Sequence, residues 1–129
     1  MEGKVLDILV VDDQPGVRHL LGMLGREEGH RMHFAADGSE AVRTASALQP
    51  DLVFMDVRMP VMDGPTALPL LHGAAPRAVV VMMTAYGNDA ALCETPESGV
   101  TAVLTKPFDL EQVRALIRRV AGPVREAVG

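Results

Sequence analysis

The chain has no tryptophan, one tyrosine, three phenylalanines, one cysteine and only two lysines among its twelve basic residues. A single cysteine, Cys93, excludes an intrachain disulfide and suits a reducing compartment. No apolar run approaches the roughly 20 residues of a membrane helix. The longest candidate, Ala78 to Met83, is strand-sized. The N-terminal apolar run from Val5 is broken at Asp7 and ends in Asp12-Asp13, unlike a secretory signal. The expectation is a cytoplasmic chain that neither enters nor anchors to a membrane. A net charge of −5 leaves no basic footprint, so direct nucleic acid binding is not expected. What is present is enough for a core: 129 residues, 48% hydrophobic, with no internal repeat and no composition shift. We expect one domain over residues 1–122, followed by 123–129 as a tail or the start of a linker.

Short apolar runs alternate with helical patterns. Val5 to Val11 reads as a strand buried on both faces. Val17, Leu20, Leu21 and Leu24 then fall on one helical face, between Pro15 and Gly29. Gly22 and Gly25 each weaken that helix by about 1 kcal/mol relative to alanine, so packing must hold it. Arg31 to Ala35 is a second, weaker strand, and Asp37 and Glu40 have the spacing of a capping box ahead of a helix ending before Pro50. Leu52 to Met55 is a third strand ending at Asp56. The helix around Leu68, Leu70 and Leu71 starts near Asp63-Gly64, and Pro69 should kink or shorten it. Val79 to Met83 and Thr101 to Leu104 are the fourth and fifth strands, separated by a helix slot at Asn88–Ser98 that Pro96 interrupts. A last helix carries Leu110, Val113, Leu116, Ile117 and Val120, with Asp109 and Gln112 as its capping box and Gly122 as its stop. Five βα units predict an α/β fold: a doubly wound parallel sheet with helices on both faces.

In such a sheet, ligands bind beyond the carboxyl ends of the strands. The first strand delivers Asp12 and Asp13 there, the third Asp56, the fourth Thr84 and the fifth Lys106. Three carboxylates on one rim repel, by about 4 kcal/mol per pair at 4 Å and an effective dielectric near 20. A divalent cation relieves this, and an all-oxygen donor set suits Mg2+. Mg2+ beside a carboxylate nucleophile is what phosphoryl transfer to an aspartate requires, with Lys106 and Thr84 available to phosphoryl oxygens.

Four stretches carry a family resemblance: Val10-Val11-Asp12-Asp13, Phe54 through Gly64 (FMDVRMPVMDG), Met83-Thr84-Ala85-Tyr86-Gly87 and Leu104-Thr105-Lys106-Pro107-Phe108. In this order and at these spacings, the chain resembles the response-regulator receiver domain of two-component signalling from about Val5 to Val120. The resemblance implies a flavodoxin-like (βα)5 fold with strand order 2-1-3-4-5. It implies a phospho-accepting switch or relay that takes its phosphoryl group from a sensor histidine kinase or a histidine phosphotransfer protein. Such a module phosphorylates and dephosphorylates itself and turns over no external metabolite. By the same resemblance Asp56 is the acceptor. Asp13, Asp56 and the Arg58 carbonyl hold Mg2+, and Asp12 acts through a metal-bound water. Thr84 grips the phosphoryl group, Lys106 pairs with Asp56 when the site is empty, and the Lys106-Pro107 peptide is cis. A homodimer or a downstream target is expected on the face built from the fourth helix, fifth strand and last helix.

Val103 departs from the pattern, because the resemblance implies an aromatic ring there that swings on activation. Val103 is stiff and small, so a phosphoryl mimic is expected to move it little and to act instead on Asn88–Ser98. Arg58 and Tyr86 are expected to flank the mouth and slow an in-line water. An alternative reading makes the chain the receiver of a larger DNA-binding regulator. A haloacid-dehalogenase-type phosphatase would need an aspartate where Arg58 stands, and a flavin carrier would need a Ser/Thr-rich loop after the first strand. His30 and His33 read as surface histidines, and Cys93 as a small hydrophobe. Arg114, Arg118 and Arg119 read as a solvated helix face.

Overall fold

The computed structural model describes residues 4–85 and 99–122. Tyr86, Cys93, Pro96 and the 88–98 helix slot lie outside the described residues. The elements run β1 (Asp7–Val11), α1 (Pro15–Glu27), β2 (Arg31–Ala35), α2 (Gly38–Leu48), β3 (Leu52–Asp56), α3 (Gly64–Ala74), β4 (Val79–Thr84), β5 (Val100–Thr105) and a C-terminal helix (Leu110–Ala121). All strand pairs are parallel, in the order β2-β1-β3-β4-β5. Alternate residues of the central strands feed two cores. Leu9, Val53, Met55 and Met82 pack with Ala41, Ala45, Ala67 and Leu71 of α2 and α3. Ile8, Val10, Phe54, Val81 and Met83 pack with Leu21, Leu24, Val113 and Ile117 of α1 and the C-terminal helix. All five residues of β3 are buried, which is why its sequence does not alternate.

Gly25 lets α1 settle on β2: a Cβ there would stand 2.1 Å from the Met32 sulfur. The glycines that weaken the helix in isolation are the ones that admit its packing partners. Asp37 caps α2 by accepting from the Glu40 amide (2.9 Å), while the Glu40 carboxylate reaches back to the Ala36 amide (2.7 Å). Asp63 caps α3 through the Thr66 amide. At the C-terminal helix the Asp109 carboxylate takes the Glu111 amide instead of forming a reciprocal box with Gln112.

Other expectations change too. α3 continues through Pro69 to Ala74, so the proline does not shorten it. Pro69 is exposed, where water can satisfy a carbonyl that has lost its helical partner. Arg114 and Arg118 are not merely solvated. Arg118 makes a two-pronged pair with Glu28 (2.9 and 3.0 Å), and Arg114 reaches Glu27 (3.4 Å), tying the end of α1 to the C-terminal helix. These bonds hold the Glu28 carboxyl below the usual range.

β1 begins at Asp7 and not at Val5, and the histidines explain the entry. The amide of Leu6, a fully buried residue, donates to His30 Nδ1 at 3.0 Å. His33 Nε2 and the Arg31 guanidinium both meet the Asp7 carboxylate, which is held well below the normal carboxylate range chiefly by Arg31. Burial lowers the His30 pKa, against the opposing charges of Glu28 and Asp51. A neutral ring is needed, because a proton on Nδ1 would turn the acceptor of the Leu6 amide into a donor. The unfolded chain therefore binds the proton first as pH falls below 6.5, and stability drops through that window. His30→Ala is expected to remove most of this slope and to cost about 1–3 kcal/mol at pH 8, the penalty of an unpartnered buried amide. Urea denaturation at pH 8 and pH 5 checks both.

The loop after β3 carries strain. Val61 sits at φ 68°, in the left-handed region that a β-branched residue rarely adopts, and the Met62 amide bonds back to the Pro60 carbonyl at 2.7 Å. Val61 is 83% exposed, so its side chain gains little from packing in return. Val61→Gly is expected to stabilise the fold by about 1 kcal/mol, relief of left-handed strain less the extra chain entropy of glycine. A raised urea midpoint with an unchanged slope is the readout.

Candidate functional site

The carboxyl ends of β1, β3, β4 and β5 bring the expected residues together. Asp56 closes β3 opposite Met83 of β4, and Thr84 pairs in register with Thr105 of β5. The Lys106 amide continues the ladder by donating to the Thr84 carbonyl at 2.8 Å. Parallel register thus turns distant sequence positions into one cleft, lined by Asp13, Gln14, Asp56, Arg58, Thr84, Ala85 and Lys106.

Asp12, Asp13 and Asp56 each offer an oxygen within 4.8 Å of the others. Asp12 is fully buried and Thr84 nearly so, while Asp13 is exposed at the mouth. Lys106 Nζ lies between two of the carboxylates, 2.6 Å from Asp12 Oδ2 and 3.3 Å from Asp56 Oδ2. Its expected pairing with Asp56 is therefore present, but the shorter contact goes to Asp12. Asp12 lies deeper and needs the nearer counter-ion. Burial and the Asp12 charge push the Asp56 carboxyl upward, against Lys106 and the Arg58 amide. Burial opposes the charge on Lys106, yet Asp12 and Asp56 outweigh it and raise its pKa. The Lys106-Pro107 peptide is cis.

The β3–α3 loop is folded tightly against the acceptor strand. The Gly64 amide donates to the Val57 carbonyl at 2.8 Å, and a Cβ at Gly64 would stand 2.6 Å from the Asp56 carbonyl oxygen. Only glycine admits that approach. Val103 is half-buried against the core on the α2–α3 side. Sequence reasoning missed Gln14, whose backbone N–H donates to Asp12 Oδ1 at 2.9 Å, and Arg18. Gln14 stands where an N-cap belongs, just ahead of Pro15 and α1, which was the available signal.

Among the described residues no helix is long and apolar enough to cross a membrane. A five-stranded parallel sheet with an acidic rim, a buried threonine and a lysine just after the last strand defines the class: a doubly wound α/β module with carboxylates and an ammonium gathered at the carboxyl end of its sheet. Residues 8–118 match the response regulator receiver domain family, and the chain belongs to it. It is 36% identical to sporulation initiation phosphotransferase F of Bacillus subtilis, over 87% of this chain and 90% of that protein. It is 36% identical to regulatory protein AtoC of Escherichia coli, again over 87% of this chain but only 24% of that protein. Among solved structures, it resembles the receiver domain of sensor histidine kinase PA1611 from Pseudomonas aeruginosa, which has magnesium coordinated in its active-site cleft. The TM-score is 0.81, with 28% identity over 93% of this chain and all of that one. The chain thus spans nearly all of some relatives and about a quarter of others, and these relatives include a phosphotransferase of about this chain's length and longer transcriptional regulatory proteins.

Proposed function

We propose that the chain accepts a phosphoryl group on Asp56 from a histidine kinase or histidine phosphotransfer protein and acts as a Mg2+-dependent signalling switch or relay. The observation that carries this reading is the convergence of Asp12, Asp13 and Asp56 on one point, with Lys106 against two of them. The donor set fits the metal: three carboxylate oxygens around an open mouth suit a cation that retains several waters. Asp13, Asp56 and the Arg58 carbonyl would hold it directly and Asp12 through water. Bound there, it would neutralise charge on the transferring phosphoryl group.

In the transfer, an Asp56 carboxylate oxygen forms the new bond to phosphorus as the phosphorus–nitrogen bond to the donor imidazole breaks. The electron pair leaves on that nitrogen, which takes up a proton. Lys106 would pair with one phosphoryl oxygen and the Thr84 hydroxyl would donate to another. Arg58, on the cleft wall, and Tyr86 would hinder the in-line water that removes the group. An apolar groove lined by Val17, Leu20, Pro107 and Phe108 opens beside the mouth and would seat the histidine-bearing surface of the donor. Of the two forms found in the family, a receiver joined to a DNA-binding output domain is the alternative to a stand-alone relay. Residues 1–122 would be the receiver and 123–129 a tail or linker start.

Incubation with acetyl phosphate and Mg2+ should add one acid-labile phosphoryl group, and excess chelator should prevent it. Equal labelling in the chelator would contradict the metal role.

A further inference from the structure

Asp12, buried behind the cleft, is held at its amide, its carbonyl and both carboxylate oxygens. Its amide donates to the Ala35 carbonyl at 3.1 Å. Oδ1 accepts from the Gln14 amide, and Oδ2 accepts from Lys106. Its carbonyl is held from a different direction: Arg18 Nη1, half-buried on α1, donates to it at 2.7 Å. Asp12 is the first residue beyond β1, so this bond fastens the turn that carries both Asp12 and Asp13 into the cleft. The guanidinium does not line the cleft itself.

We propose that Arg18 is a positioning residue for the acidic cleft. By gripping the Asp12 carbonyl from α1, it fixes the β1–α1 turn. That sets the Asp12 carboxylate between the Gln14 amide and Lys106 and leaves Asp13 at the mouth, aimed at the cation. The inference rests on the reading of the cleft as a divalent-cation and phosphoryl site.

Charge and geometry predict opposite signs here, which makes the role separable. If Arg18 acted only as a nearby cation, its removal would make the cleft more negative and tighten Mg2+ binding. If it positions the turn, its removal weakens binding, because misaligned oxygens cannot meet a cation that demands near-ideal geometry. Arg18→Met is therefore expected to raise the Mg2+ dissociation constant roughly tenfold, within the range seen for groups that orient metal ligands. Arg18→Lys retains a donor for the carbonyl and should restore affinity to within about twofold of the parent.

Calorimetric Mg2+ titration of the full chain, with thermal melts in chelator, tests this. Amide hydrogen exchange at Gln14 in metal-free protein is the second measurement, and it should lose protection in Arg18→Met. Unchanged or tighter Mg2+ binding by Arg18→Met overturns the proposal, including the case in which only the melting temperature falls. If the parent itself fails to bind Mg2+, the cation reading of the cleft fails. The Gln14 exchange then decides the positioning role alone, and unaltered protection overturns it.

Discussion

Replacing Lys106 with methionine is expected to destabilise the metal-free protein by about 3 kcal/mol, the low end of the cost of removing one partner from a buried ion pair. The side chain is 15% exposed and its ammonium touches both Asp12 and Asp56. Without it, two buried carboxylates lose the ammonium they share, and Asp56, already pushed up by burial and Asp12, would move further up. Mg2+ would then become the main relief of that repulsion. Its affinity should rise roughly tenfold, or about 1.4 kcal/mol, so saturating Mg2+ should narrow the stability gap to the parent by about half. Urea melts in chelator and in Mg2+ measure both effects. A Lys106→Met protein that is equally stable in both would contradict the counter-ion role.

Asp13→Ala is expected to weaken Mg2+ binding by at least about tenfold, since losing a direct ligand should cost no less than losing a group that orients one. Asp12→Ala should cost less. Both Asp12 oxygens are already committed, one to the Gln14 amide and one to Lys106, whereas Asp13 stands exposed at the mouth. Tyr86 is the only tyrosine in a chain without tryptophan, so its fluorescence offers a simple titration signal. A larger loss in Asp12→Ala than in Asp13→Ala would reverse the assigned roles.

The sheet was legible because its strands are short and apolar, and because aspartates mark the starts of three of the helices. Asp37, Asp63 and Asp109 each cap the helix that they precede. The rim was legible for the same reason: a parallel sheet sends every strand's C-terminal residue to one side. Interactions that depend on side-chain reach were not. Nothing in the spacing of His30 announces that its ring serves the Leu6 amide from 24 residues away. The arginines at 114 and 118 look like a solvated face until α1 places Glu27 and Glu28 beside them. Gly25 weakens a helix in isolation, and only the Met32 side chain across the interface explains it. The Asp12–Lys106 contact, the shorter of the two lysine pairs, follows from depth in the cleft, which periodicity does not encode.

On the proposed function, Asp56 alone among the three converging carboxylates takes the phosphoryl group, while all three serve the metal. After reaction with acetyl phosphate and Mg2+, borohydride reduction converts an aspartyl phosphate into homoserine, which peptide mass spectrometry can locate. The reduced residue is expected at position 56, and none in Asp56→Asn. Homoserine at position 12 or 13 in the parent protein, or undiminished labelling in Asp56→Asn, would contradict it.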